Sequence, residues 1–224
     1  MDAIEAINSR KSVRAFKPDP IPKEILQKIM EVTLRAPSWE NTQPWEFAML
    51  GGEAMKKVND AFMEKMRAGQ KPHLDISWPK FTGPYLGRAK ADGRQLFREL
   101  GIAKDDAPAI MNWRLSSTQF FHAPNGVIVY MDASLGEWSL VDIGIGLQTL
   151  MLAAWHYGVG TCALAAAVTY PDVLRSLLNI PESKRIVVGV AMGYPDFSSP
   201  AMKFRTEREP LEVLVTWYGF DCQT

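Results

Sequence analysis

The spacing of apolar side chains marks out most of the elements of this chain. Ile4 and Ile7 stand three apart among polar neighbours, predicting a short amphipathic helix over residues 2–9 that runs into the basic stretch Arg10, Lys11, Arg14. The segment Lys-Pro-Asp-Pro-Ile-Pro at 17–22 breaks it. Pro22 suits the first turn of a second helix, on which Ile25, Ile29 and Val32 keep helical spacing until Ala36 meets Pro37. Trp45, Phe47 and Met49 alternate with Glu46, Ala48 and Leu50 up to Gly51 and Gly52, an imperfect strand, and a helix from Glu53 to about Met66 follows. GVIVY at 126–130 and RIVVGVAM at 185–192 are β-branched apolar runs that predict buried strands. Between them SLVDIGIGLQTLMLAAWHYG is apolar almost all round and ends at Gly158, suited to a helix C′ position; such a helix is expected to be enclosed by a core or a subunit interface. PDVLRSLL at 171–178 predicts a further short helix. Leu211, Val213 and Val215 alternate with Glu212, Leu214 and Thr216 and predict a last strand.

Residues 68–112 are the least regular part. HLDISWPKFTGPYLGR combines aromatics with prolines, and the remainder is charged and helix-prone, so the segment reads as an excursion able to cover a pocket. The order of elements predicts an α+β architecture with helices packed on one modest sheet, in a single domain over residues 1–224.

Composition narrows the function classes. Lys plus Arg number 25 and Asp plus Glu number 25, so no overall field draws the chain to nucleic acid or to an acidic membrane. Residues 143–157, the least polar stretch, fall short of the roughly 20 residues a bilayer needs and contain Gln148 and His156. The opening MDAIEAINSRKS lacks the apolar core of a secretory signal, and a cytoplasmic location is expected. Cys162 and Cys222 alone make neither a disulfide framework nor a cysteine zinc site, and His73, His122 and His156 lack metal-ligand spacing.

Two basic groups carry the candidate chemistry. If the first helix continues, Arg10 and Arg14 fall at i and i+4 on one face, with Lys11 and Ser12 beside them. Lys203, Arg205 and Arg208 lie near the other end. Should folding bring the ends together, these cations surround one dianion, for which guanidinium forks are well shaped; kept apart, each group is an ordinary solvated face. The loop APSWENTQPWEF at 36–47 is too polar for a core segment and too aromatic for a plain turn, which fits a flat polar ligand or a helix-capping loop. Trp78, Phe81, Tyr85 and Trp113 either shape a stacking pocket or belong to a core.

INSRKSVRAFKPDPIPKEIL at 7–26, APSWENTQPWEF at 36–47, GVGTCALAAAVTYPDVLRSLLNIPESKRIVVGVAMGYPD at 158–196 and RTEREPLEVLV at 205–215 together resemble the nitroreductase family of FMN-dependent oxidoreductases, in order and spacing, over most of the chain outside about 60–120. The resemblance implies a nitroreductase-like fold with a mostly antiparallel central sheet, in an intertwined homodimer with crossing terminal arms. It implies that Arg10, Lys11, Ser12, Arg14, Arg208 and Arg205 grip the FMN phosphate and ribityl chain. Pro37, Ser38, Trp39 and Asn41 would reach the cofactor from the second subunit. The backbone at Leu164, Ala165 and Ala166 would approach the flavin ring; some relatives carry glutamate and glycine there. The implied activity takes electrons from NADH or NADPH and reduces a small flat aromatic acceptor, a nitroaromatic or a quinone. Reductive dehalogenation, reduction of an activated double bond and a flavin-binding sensor without turnover are the narrower readings of the same resemblance, with residues 60–120 as the variable region near the site.

Overall fold

The computed structural model describes residues 1–220. Its helices are α1 (Ala3–Ser9), α2 (Lys23–Thr33), α3 (Gly52–Arg67), α4 (Gly83–Glu99), α5 (Ala107–Thr118), α6 (Trp138–His156), α7 (Pro171–Leu178) and the short α8 (Leu211–Leu214). The strands are β1 (Glu46–Gly51), β2 (Asn125–Asp132), β3 (Gly160–Leu164) and β4 (Lys184–Gly193), in the order β1-β2-β4-β3. Every neighbouring pair is antiparallel, which makes the architecture α+β with an antiparallel sheet.

Period-two alternation sends the side chains of β2 to two separate cores. Val127, Val129 and Met131 pack with Ile29 of α2 and Ile143 and Leu150 of α6, whereas Ile128 packs with Val58 and Phe62 of α3 and Leu174 of α7. The sheet is therefore covered on both faces, and its central strand reads as a continuous apolar run. β1 departs from the simple alternation. Trp45 and Leu50 are buried while Met49 is exposed, because β1 is an edge strand with a single neighbour.

Two expectations need correction. The first helix stops at Ser9, whose hydroxyl donates to the Glu5 carbonyl, and Arg10 is already extended at φ −55°, ψ 138°. A seven-residue helix has little stability of its own, and pairing with the sheet edge wins. Ser12 bridges Thr161, the Val13 N–H donates to the Thr161 carbonyl at 2.9 Å, and Lys17 N–H donates to the Tyr194 carbonyl at 2.9 Å. Arg10, Ser12 and Arg14 still share a side, now by period two.

The strand expected at 211–215 is instead the α8 turn, with Leu211, Val213 and Leu214 exposed. Alternation alone makes no strand without a sheet to join. Conversely, β3 was not anticipated: Gly160 and Ala163 have weak strand propensity, and pairing with β4 imposes the conformation. α6 is buried along one face only. Ile143, Gly146, Leu150, Ala153 and Ala154 point inward, while Trp138, Val141 and Ile145 are exposed. By length and apolarity it is the one candidate membrane span among the described residues, yet its inner face is part of the core. Cys222 lies outside the described residues.

Residues 68–120 contain two helices whose starts carry ordinary signals: Pro84 after the N-cap Thr82, and Pro108 after Asp106, whose carboxylate accepts the Ala109 N–H at 2.9 Å. α4 packs on the turn Pro200–Met202, and α5 on the turn Ala165–Val168.

Gly160 fixes how closely the 10–16 segment lies on β3. A Cβ there would sit 2.6 Å from Val13 Cγ2, 2.9 Å from Val13 Cβ and 3.0 Å from Pro195 Cγ. Gly160→Ala is expected to lose about 1–3 kcal/mol of stability through overpacking, read by denaturant unfolding; wild-type stability in that variant would show that Val13 is not held against the strand.

Candidate functional site

The extended segment and the chain's far end enclose a pocket of about 440 Å³. Arg10, Lys11, Ser12 and Arg14 line it from the N-terminal side, and Phe204, Arg205, Thr206 and Arg208 from the other; Gln148 of α6 forms part of the wall. Five cations and no carboxylate line it. None of the five forms an ion pair among the described residues.

Their hydrogen bonds are to neutral groups. Lys11 Nζ donates to the Met202 carbonyl at 2.5 Å, which ties the two ends of the chain directly. Arg205 donates to the Asn8 carbonyl, a second tie. Arg208 Nη1 donates to Thr206 Oγ1 at 2.6 Å and to the Glu207 carbonyl at 2.9 Å. The Arg14 guanidinium lies over the Phe204 ring, 5.4 Å from its centroid. Arg10 Nε is buried with no hydrogen-bond partner among the described residues.

Burial and the neighbouring Arg208 and Arg205 hold Arg10 below its ordinary pKa, against a smaller opposing effect of Cys162. Lys11 is lowered in the same way, by burial and then by Arg205. Both shifts report uncompensated positive charge. Cys162, behind the pocket, is pushed up mainly by burial, and nothing in the geometry gives it a chemical role. Lys203 is exposed and outside the lining.

The other two expected groups lie elsewhere on the chain. Trp39 is 59% exposed, its N–H donates to Asp142 Oδ1 at 3.2 Å, and its ring meets Trp138 edge-on at 5.8 Å. The loop is thus tied to the first turns of α6. Ser38 Oγ accepts the Gln43 N–H at 2.9 Å, and Glu40, Asn41 and Gln43 all have positive φ (50°, 57° and 45°), a conformation that costs energy for residues with a side chain. Pro37, Ser38, Trp39 and Asn41 do not line the pocket of their own chain.

Leu164, Ala165 and Ala166 close β3, whose other end holds Ser12 through Thr161. From Thr161 to Leu164 the strand advances about 10 Å. Beyond the Ser12 bridge no described segment pairs with this edge, and Ala163 and Ala165 face outward with only methyl groups. A phosphate at the cations with a flat group laid along the alanine edge fits this shape. Residues that the sequence reading left out are Asn8, Gln148, Phe204 and Thr206. Gln148 was legible as a polar side chain within an apolar helix; Thr206 lies between two candidate arginines.

A profile of the nitroreductase family matches residues 7–194. The chain belongs to the nitroreductase family. It is 33% identical over 217 residues to a chloronitrobenzene nitroreductase of Comamonas testosteroni, covering 95% of each chain. Among solved structures it resembles the FMN and NADPH-dependent nitroreductase NfnB from Sphigopyxis sp. strain HMH (TM-score 0.95, 29% identity, covering 98% of this chain and 100% of that one). It also resembles the FMN-dependent nitroreductase NfnB of Mycobacterium smegmatis in complex with NADPH (TM-score 0.92, 28% identity, 96% and 97% covered). The family match ends at Tyr194, so the residues that complete the cationic pocket, Phe204, Arg205, Thr206 and Arg208, lie beyond it.

Five unneutralised cations in one pocket predict an anion-dependent stability. Inorganic phosphate at a hundred times its dissociation constant is expected to stabilise the protein by about 2.7 kcal/mol, seen as a raised melting temperature. Arg208→Gln, by relieving repulsion on Arg10, is expected to melt no lower than wild type without phosphate and to gain less from it. A wild-type melt indifferent to phosphate would contradict the assignment.

Proposed function

We propose that the protein is an FMN-dependent oxidoreductase that uses NADH or NADPH to reduce nitroaromatic and quinone-type acceptors. The observation that carries this reading is the cationic pocket built from both chain ends, with the unpartnered Arg10 Nε inside it and the alanine edge of β3 leading away. Membership of the family and the FMN and NADPH dependence of the two similar structures support it; on the same ground NADPH is the favoured donor.

In this reading Arg10, Lys11, Arg14, Arg205 and Arg208 hold the phosphate, with Ser12 and Thr206 as hydroxyl partners. FMN, once bound, supplies hydride acceptance from the nicotinamide and delivery to the acceptor. The chain would position the ring, and donor and acceptor would take turns at the site in a ping-pong sequence. Backbone N–H groups at Leu164, Ala165 and Ala166 would donate to a ring laid along this edge, a role that needs no side chain. The cations lie too far along the strand to tune the ring strongly through solvent.

A homodimer completes the site. α6 leaves Trp138, Val141 and Ile145 exposed, and beyond Pro210 the chain leaves Leu211, Val213, Leu214, Trp217, Tyr218 and Phe220 exposed. Apolar surface on that scale marks an interface. The partner's copy of the Pro37–Asn41 loop then approaches the cofactor from across it, which accounts for the distance of that loop from the pocket of its own chain. Residues 1–224 act as one domain, with 60–120 as its variable part beside the site. A cytoplasmic location suits the buried free Cys162.

Purified protein is expected to be yellow with one FMN per chain, to bleach on addition of NADPH and to recover colour with a nitroaromatic. Arg10→Gln and Arg208→Gln are each expected to weaken FMN binding roughly 10- to 100-fold, the loss of one charge-assisted hydrogen bond. A colourless preparation that takes up no FMN would sink the proposal. Halogenated aromatics, activated alkenes and quinones in the acceptor panel separate the narrower reactions, and bleaching without any productive acceptor would identify a sensor.

Val141→Glu with Ile145→Glu is expected to shift the protein to monomer in sedimentation and to reduce FMN retention at the same time. A double variant that stays dimeric and fully loaded would place the interface elsewhere.

A further inference from the structure

α6 holds the 38–43 loop along a single stripe. Trp138, Asp142 and Gly146 stand four residues apart, so they face the same way on successive turns. The Trp138 ring meets the Trp39 ring edge-on at 5.8 Å, and Asp142 Oδ1 accepts the Trp39 N–H at 3.2 Å. At Gly146 the approach is close: a Cβ there would come to 3.0 Å from Cε3 of the buried Trp45. The loop is therefore gripped at its entry by a ring and a carboxylate, and at its exit by the indole of Trp45.

Asp142 differs in kind from the other two contacts. It is 7% exposed, the one buried carboxylate among the described residues, and it forms no ion pair there. Burying a carboxylate without a cation is costly, and an apolar side chain would fill the same space without that cost. What Asp142 fixes is a backbone with little reason of its own to stay in place. Glu40, Asn41 and Gln43 have positive φ, and the side chains from Glu40 to Gln43 are all exposed. The loop holds its polar groups away from the chain that shapes it. Next to the stripe on the same helix, Val141 and Ile145 are exposed, the residues assigned above to the homodimer contact.

We propose that Asp142 is a positioning residue for the flavin site of the partner protomer: with Trp138 it fixes the loop whose Ser38 and Asn41 meet the cofactor bound by the other chain. The proposal deepens the homodimeric oxidoreductase reading and rests on it. One helix then serves two cofactors. Its grip stripe shapes the loop offered to the partner, while Gln148, about 9 Å further along the axis, lines the cationic pocket of its own chain. Asp142 touches no cofactor in this arrangement and acts through Trp39.

The test assigns the defect to a protomer. The Asp142→Ala homodimer is expected to bind FMN roughly 10-fold more weakly than wild type, the worth of one hydrogen bond to a charged group, and to stay dimeric in sedimentation. Asp142→Asn keeps an acceptor oxygen for the Trp39 N–H and is expected to keep most of the affinity. A mixed dimer, isolated through two different tags, carries Asp142→Ala on one protomer and Arg10→Gln on the other. It is expected to bind one FMN with wild-type affinity, because both defects fall on one site and leave the other intact. If Asp142 served its own chain, each site would carry one defect and no wild-type site would remain. That titration overturns the proposal, as does an Asp142→Ala homodimer that binds FMN like wild type or loses it only by becoming monomeric. Should Asp142→Ala fail to fold, Trp138→Ala, at a 70% exposed position, takes its place in the mixed dimer and decides in the same way. A wild type that binds no FMN, or that is monomeric, overturns the proposal together with the reading beneath it.

Discussion

The contact on which the rest of the molecule depends is the laying of residues 10–16 along the free edge of β3. One bridge, Ser12 to Thr161, and one buried side chain, Val13 against Gly160, set its height and register. Because the segment is extended, Arg10, Ser12 and Arg14 project to one side and Val13 to the other. The segment that follows is fixed by Lys17 to Tyr194 and by the Phe16–Pro195 bridge. β4 thus delivers the downstream chain to the same corner, and Lys11 and Arg205 close the two ends on one another through backbone carbonyls. Two basic clusters nearly 200 residues apart in sequence become one site through this pairing.

That site concentrates like charge in a partly buried place. Arg10 and Lys11 are depressed by burial and by their cationic neighbours, and a buried guanidinium nitrogen goes unpaired. Leaving a buried donor unsatisfied costs on the order of 1–3 kcal/mol. The positive-φ residues of the 38–43 loop are a second store of strain, held by Asp142 and by Ser38. A fold tolerates such costs where a ligand relieves them, so the expense itself marks the binding geometry. The two strained regions are separated within one chain, and the apolar outer face of α6 lies next to the loop.

Much of the fold was legible because its signals are local. The helix 171–178 and the strands around 127 and 188 follow from β-branched runs, proline and glycine at element ends, and period. What failed required knowledge of partners. Arg10 to Arg14 have acceptable helix propensity, and only a distant strand edge makes them extended. Leu211 to Val215 alternate like a strand, and only the absence of a neighbour among the described residues makes them a turn. Gly160 and Ala163 of β3 carry no strand signal, since β4 supplies the reason for their conformation. For the site, charge and spacing named the cations, but they could not distinguish pocket from solvated surface. Lys203 and Arg205 look alike in sequence and only Arg205 lines the pocket.

The same logic separates charge from position. Binding a dianion needs charge, which is written in residue type and survives in any register that brings the arginines together. Placing a flat ring needs groups at a fixed distance from it, and distance is written in anchors rather than in the groups themselves. Asp75, held by Arg175 and by the Ile186 N–H, fixes where the chain leaves the sheet, and Arg88 ties α4 to Glu209, the residue adjoining Arg208. Arg208 and Glu209, two consecutive residues of opposite charge, thus have different partners, one lining the cationic pocket and the other paired with Arg88.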